Sequence, residues 1–457
     1  MTVDAQNPSP QNVDVVVTGN SMPALIAALN YAEVGLTVQV LAGEQQLADD
    51  AWVSDSEMFL RACIERIETQ SRTLKQHVPD SADEKVDEGE HVRLDDWVDT
   101  LRPPSPKLLS VNKEWGAQAE PNVMGIPASP LDERTIALLN WRSASRMYVD
   151  RFSPLLTIGK TQTLHDLVLS RLGKQALSVL VEPHVRFAFG CTAAELDVAI
   201  FAPGLNETLS RAGSLSAAVL AYQERNVARE TLVRPKGGWT QLFSKLARLL
   251  ELYGVTFSIQ TAQHVSSDED GWQITLDDEY LLRARVVVID EASTLNQQST
   301  IHISDEPKPV RPARIHASVE IQEPIWLSEH ESCLHRADKW AIMASQTDAG
   351  KWVAHLRSDR FELSRESSLP SSDEIRELLA TINIEPLHDA KVNSEIVSAP
   401  FSTMNERHIA EQQEHNRTAR VVPVQIVGQS IWGNDLQSAV YAAHESSVTI
   451  RRNLLGI

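Results

Sequence analysis

The segment Gly19-Asn20-Ser21-Met22-Pro23-Ala24 has the spacing of a turn that cradles a diphosphate between a strand and a helix. Such a turn uses three glycines for three reasons. The first permits the tight turn, the second lets backbone approach the diphosphate, and the third lets the helix pack closely on its strand. Gly19 keeps the first role, and Ala24 is an accepted stand-in for the third. Ser21 replaces the second, so a side chain stands where phosphate would approach. A carboxylate at the end of the next strand should bind ribose hydroxyls. The expected position is Ala42, and Glu44 two residues later could serve only through a reshaped loop. By itself the motif also fits an α/β unit that binds nothing at this turn.

The surrounding pattern supplies the elements that such a turn needs. Val13 to Thr18 is β-rich and reads as a buried strand, and Ser21 is a candidate N-cap. Leu25, Ile26, Ala28, Leu29 and Ala32 form one apolar helical face, which Gly35 ends. Leu36 to Leu41 is a second strand, which completes a βαβ opening. Further along, "PKGGW" at 235–239 predicts a Gly-Gly turn before a helix over Thr240–Leu252, followed by a strand at Val255–Ile259. A hairpin is predicted at Trp272–Leu276 and Tyr280–Leu282, and a separate buried strand at Val286–Ile289. The region 132–225 reads as mostly helical. Residues 297–400 alternate strand patterns with loops and one helix near Ser372–Thr381, and a strand, turn and helix close the chain.

Composition excludes several function classes. The net charge of -20 argues against nucleic-acid partners, which require a basic face. Cys63, Cys191 and Cys333 are odd in number and lack CxxC spacing, so no disulfide framework or zinc site is expected. The 14 histidines show no ligand spacing, and no metal is expected. No apolar run is long enough for a membrane helix. These features suggest a cytoplasmic protein, with peripheral contact to a membrane surface left open. Arg142, Arg146 and Arg151 could meet ligand carboxylates or form a solvated helix face.

Several stretches taken in order carry a family resemblance. They are "VVVTGNSMPALIAALNYAEVGLTVQVL" from Val15, "MGIPASPL" at 124–131, and "TLHDLVLSRLGKQALSVLVEPHVRFAFGCTAAELDV" at 163–198. "APGLNETLSRAGSLSAAV" at 202–219, "PKGGW" and "IVGQSIWGNDLQSAVYAA" at 426–443 complete the set. With these, most of the chain resembles the protoporphyrinogen/coproporphyrinogen oxidase family of the flavin amine-oxidase superfamily. The resemblance implies an α/β fold with a Rossmann-like FAD/NAD(P)-binding domain assembled from 1–50, 230–296 and 418–457. A helical subdomain is expected at 130–229, and a mixed-sheet substrate domain at 51–129 and 297–417. It implies FAD as cofactor and a cyclic tetrapyrrole as substrate, dehydrogenated with oxygen as acceptor in haem synthesis. Cofactor contacts would fall on Gly19, Ser21, Ala24, Glu44, Gly237, Gly238, Trp239, Val265 and Gly428; no catalytic residue is assigned.

The departures from the family pattern point the other way. "AGEQQLADDAWVSD" lacks the Arg and Gly-Gly that usually wrap the flavin. The usual Gly-Asp is Gly428-Gln429, and only Gly433 remains in the following helix start. A strand end that resembles "ATPA" in the family is Ile289-Asp290-Glu291-Ala292, which brings two carboxylates toward the cofactor region. Each lost charge-assisted hydrogen bond costs roughly 1.5 to 3 kcal/mol. FAD is therefore expected to be weakened or lost. The competing expectation is a non-catalytic relative that binds a tetrapyrrole or a protein partner.

Overall fold

The structure is a computed structural model. It describes residues 11–41, 47–77, 97–101, 107–111, 114–153, 162–226, 232–277, 280–291, 311–328, 331–347, 349–363 and 367–456. The chain divides into two compact units, one of 1–102, 229–308 and 409–457, the other of 103–228 and 309–408. The boundary at 102/103 splits the stretch 51–129 between them. The second unit holds both the helical segment and most of the mixed sheet.

The first unit is built on a seven-stranded sheet. Its strands are β1 (Gln11–Thr18), β2 (Val38–Leu41), β6 (Thr256–Phe257), β7 (Ala262–Ser267), β8 (Trp272–Leu276), β9 (Leu281–Asp290) and β10 (Val424–Val427). The order is β6-β2-β1-β9-β8-β7, with β10 also on β9. Around it stand α1 (Met22–Ala32), α2 (Phe59–His77), α3 (Gly238–Leu252) and α4 (Leu436–Leu455). Strands β3 (Val53–Ser54), β4 (Val98–Leu101) and β5 (Leu232–Pro235) form a small separate sheet.

The predicted hairpin strand and the separate buried strand are one element. β9 runs for ten residues and changes partners along its length. On one edge Leu281 to Ala284 pair antiparallel with β8 and Val287 to Asp290 pair parallel with β10, while on the other edge Leu282 to Ile289 pair parallel with β1. The polar Arg283 and Arg285 interrupt the hydrophobic pattern and hide this continuity. The strand predicted at Val255–Ile259 shortens to Thr256–Phe257, pairing with β2. Residues of β1 alternate between two cores. Val15 and Val17 join α1, α2, α3 and α4 in one cluster, while Val16 joins Val265, Trp272, Ile274 and Val287 in another.

The second unit carries an eight-stranded mixed sheet. Pro312–Glu320, Trp352–Ser358, Trp340–Gln346 and Ser332–Ala337 pair antiparallel in that order. Ser332–Ala337 then pairs parallel with Leu108–Val111. On one face Cys333, Ile342, Ala344 and Leu356 pack with Ile375 and Leu379 of helix Ser372–Ala380. On the other, Leu334, Ala341 and Met343 pack with the helical segment. No helix among the described residues is long and apolar enough to cross a membrane.

Candidate functional site

The parallel strands β1, β9 and β10 lie side by side, with Thr18 opposite Ile289 and Asp290 opposite Val427. Gly19 and Gly428 therefore flank the end of β9 within one unit. The dipeptide Asp290-Glu291 stands between the two glycine turns.

At the first turn Gly19 has φ +140°, a value that favours glycine. A Cβ there would lie 2.5 Å from Asp290 Oδ2. The Ser21 amide donates to the same oxygen at 2.9 Å, and the Asp290 amide donates to Thr18 Oγ1 at 3.2 Å. Asp290 is only 1% exposed. A carboxylate from the protein thus accepts from the amide that directly precedes α1, beside the helix N-terminus that attracts a phosphate through free N–H groups and the helix dipole. Ser21 precedes the helix as expected, but its hydroxyl makes no capping bond and is buried without a partner among the described residues. Ala24 is fully buried where α1 packs on the sheet.

The second turn repeats the arrangement. Gly428 has φ +149°, and a Cβ there would meet Glu291 Cβ at 2.8 Å. The Glu291 carboxylate accepts from the Ser430 hydroxyl, and its amide donates to Val427 O at 2.8 Å. Asp435 then caps α4, accepting from the Ser438 amide at 3.1 Å. At the third turn Gly237 and Gly238 have φ +87° and +85°. Asp49 Oδ1 accepts from the Thr240 amide at 2.7 Å at the start of α3. That bond holds the Asp49 carboxyl below its usual range. Three helix starts, those of α1, α3 and α4, are thus met by the chain's own aspartates. Asp49 and Asp435 were not singled out in the sequence, although Asp435 directly before a long helix is an N-cap signal.

The remaining expected cofactor residues are placed differently. Trp239 is fully buried, and its indole N–H donates to Ala51 O at 2.7 Å. Its ring belongs to the core around α1 and α3 and is not presented for stacking. Val265 lies on β7, the third strand beyond β1, with its side chain in the second core and Ile274 opposite. Glu44 lies outside the described residues. Arg146 of helix Trp141–Tyr148 donates to Arg171 O and Ser170 O, so it serves helix packing, and Arg151 stacks on Tyr148 at 4.7 Å.

Beyond the first turn a cavity of about 410 Å³ persists, lined by Asn20, Leu25, Leu41, Phe243, Ser258 and Ile259 among others. Asn20 Oδ1 is buried without a partner among the described residues. This is the side of the fold that would take a nucleoside, while the diphosphate position is filled. A diphosphate approaching the Ser21 amide would meet the Asp290 carboxylate, like charge against like. The residues present do not fit an FAD diphosphate in this turn. The three thiols are buried, and burial pushes each up to about 12, so none is a nucleophile at neutral pH.

Comparison with solved structures places this architecture. A protein of Exiguobacterium sp. 255-15, described as a "putative protoporphyrinogen oxidase", is similar with a TM-score of 0.72 and 15% identity. The match covers 97% of this chain and 99% of that one. A putrescine oxidase is similar over 98% of this chain and all of its own, with a TM-score of 0.57 and 12% identity. A UDP-galactopyranose mutase is similar over 97% and 96%, with a TM-score of 0.56 and 12% identity. No family model and no curated protein matches the sequence. At these identities the likeness concerns the Rossmann-like α/β fold.

Proposed function

We propose that this chain is a non-catalytic relative of the porphyrinogen oxidases that does not retain FAD and binds a tetrapyrrole. The observation that carries this reading is the Asp290-Glu291 pair, which meets the Ser21 amide on one side and faces Gly428 on the other. Burying a carboxylate on helix amides is favourable only while no other anion competes for them. The lost Gly-Asp, the Ser21 side chain and the aspartate caps at α3 and α4 act in the same direction. Retention of the whole fold, with its two units, supports a role that still needs a shaped protein.

The oxidoreductase reading has one observation in its favour, the similarity over nearly the full length to a protein described as a putative protoporphyrinogen oxidase. A visible spectrum with and without added FAD separates the two. The non-catalytic reading expects a colourless protein that gains no flavin after gel filtration from excess FAD. A yellow protein that oxidises coproporphyrinogen under air would overturn it.

A further inference from the structure

The second unit's sheet carries basic side chains with no task in the fold described above. Pro312–Glu320 and Trp352–Ser358 pair antiparallel, with His316 directly opposite Arg357. Ala317, Val319, Ala354 and Leu356 fill the apolar core on one face. By alternation His316, His355 and Arg357 project from the other. Residues directly opposite on one face stand about 5 Å apart at Cβ, which brings His316 and Arg357 together, and His355, opposite Ser318, is their diagonal neighbour on the same face.

Their partners are few. The Arg357 guanidinium lies 4.2 Å over the Phe187 ring. Its hydrogen bonding among the described residues is a long 3.4 Å contact to Phe187 O. His316 Nε2 is buried with no partner among the described residues. The neighbouring arginines are all engaged. Arg186 pairs with Glu182 and Asp359, Arg360 pairs with Glu406, and Arg314 donates to the carbonyls of Arg186, Phe187, Ala188 and Ser358. Arg357 has no carboxylate partner among the described residues. Glu395 stands opposite His316 on the other side, but it is exposed and bonds neither residue. Burial, helped by the nearby arginines, pushes His316 down to about 3 and His355 to about 4; burial alone lowers Arg357 to about 10. A partly buried cation without a counter-charge favours an anion beside it. All three side chains nonetheless remain only partly buried.

We propose that His316, His355 and Arg357 form a binding site for a carboxylate of a small organic anion. The guanidinium offers a planar fork that matches a carboxylate. His316, in its Nε2–H tautomer, supplies a further donor. This site gives a ligand class to the binding role proposed above and rests on that reading only for the porphyrin arm of its test.

The test titrates the full-length protein calorimetrically with coproporphyrin, its tetramethyl ester and citrate. Coproporphyrin and citrate are expected to bind, and the ester to bind at least about tenfold more weakly than the free acid. R357Q and H316Q should each weaken both acids by about tenfold or more, R357K should fall between, and R376Q, on the exposed side of helix Ser372–Ala380, should change nothing. Citrate binding that depends on Arg357, without coproporphyrin binding, supports the carboxylate site and removes the tetrapyrrole reading. Coproporphyrin binding that is equal in wild type and R357Q removes the site and leaves that reading intact. No binding of either acid overturns the site. Thermal melts accompany each variant; if R357Q fails to fold, H316Q and R357K decide by the same criteria.

Discussion

Asp290 does at the first glycine turn what a bound phosphate does in nucleotide-binding folds of this topology: it supplies negative charge to the amide that precedes α1. This gives a gain-of-binding expectation. D290A combined with E291A should raise affinity for ADP by at least about tenfold over wild type, measured calorimetrically, because it removes two like charges and reopens the amides. S21G with Q429D alone should leave flavin binding unchanged, since the Asp290 carboxylate stays in place. If that pair alone gave a yellow protein, Asp290 would not be the obstacle. Gly19 is constrained by the same residue. G19A should destabilise by about 2 kcal/mol or more through its positive φ and its contact with Asp290. D290A in that background should recover the contact part of the loss, as read from chemical denaturation.

Among the elements, helix Glu182–Phe189 ends at Gly190, and its last carbonyls are taken by a side chain from the sheet. Arg314 reaches three of them and the carbonyl of Ser358, in a position that is fully buried. R314L should cost about 3 kcal/mol or more, because several carbonyls lose their donor at once. Urea denaturation would measure it. A loss under 1 kcal/mol would mean water replaces the guanidinium. Elements of this kind differ in how far the sequence declares them. The βαβ opening was readable, since Val13–Thr18 and the apolar face of α1 follow local rules. The helix near Ser372 was also readable, and Ser371 with Glu374 forms its capping box. The continuity of β9 was not readable, because it depends on partners far away in the chain. Asp290 and Glu291 could be noticed as misplaced carboxylates in a strand end. That Asp290 would accept from Ser21, or that Trp239 would turn into the core, follows only from tertiary packing. The basic face of the second sheet was equally hidden, since His316 and Arg357 meet only through strand register.

Across the whole molecule, acid should unfold the chain through its buried histidines. His184 is buried, with Nε2 3.0 Å from Gln118 Oε1, and burial lowers it from 6.5 to about 4. The unfolded chain therefore binds more protons than the folded one between these values. Its contribution to stability is complete above about pH 6.5 and is lost as pH falls toward 4. His316 and His355 shift in the same direction. The melting temperature should fall across that window, and H184Q should flatten the slope if its fold is kept. A profile independent of pH there would contradict the neutral, buried state of these rings. The pairing of β9 also sets a timetable for biosynthesis. β1 emerges first from the ribosome, yet its neighbour on one side is β9, and β9 in turn waits for β10 near the other end. At about 5 to 20 residues per second, roughly 20 to 80 s pass before the last of these strands is made. Through that interval the nascent chain carries an apolar strand with open backbone groups, which makes it a natural client for a chaperone and more prone to self-association the more slowly it is translated.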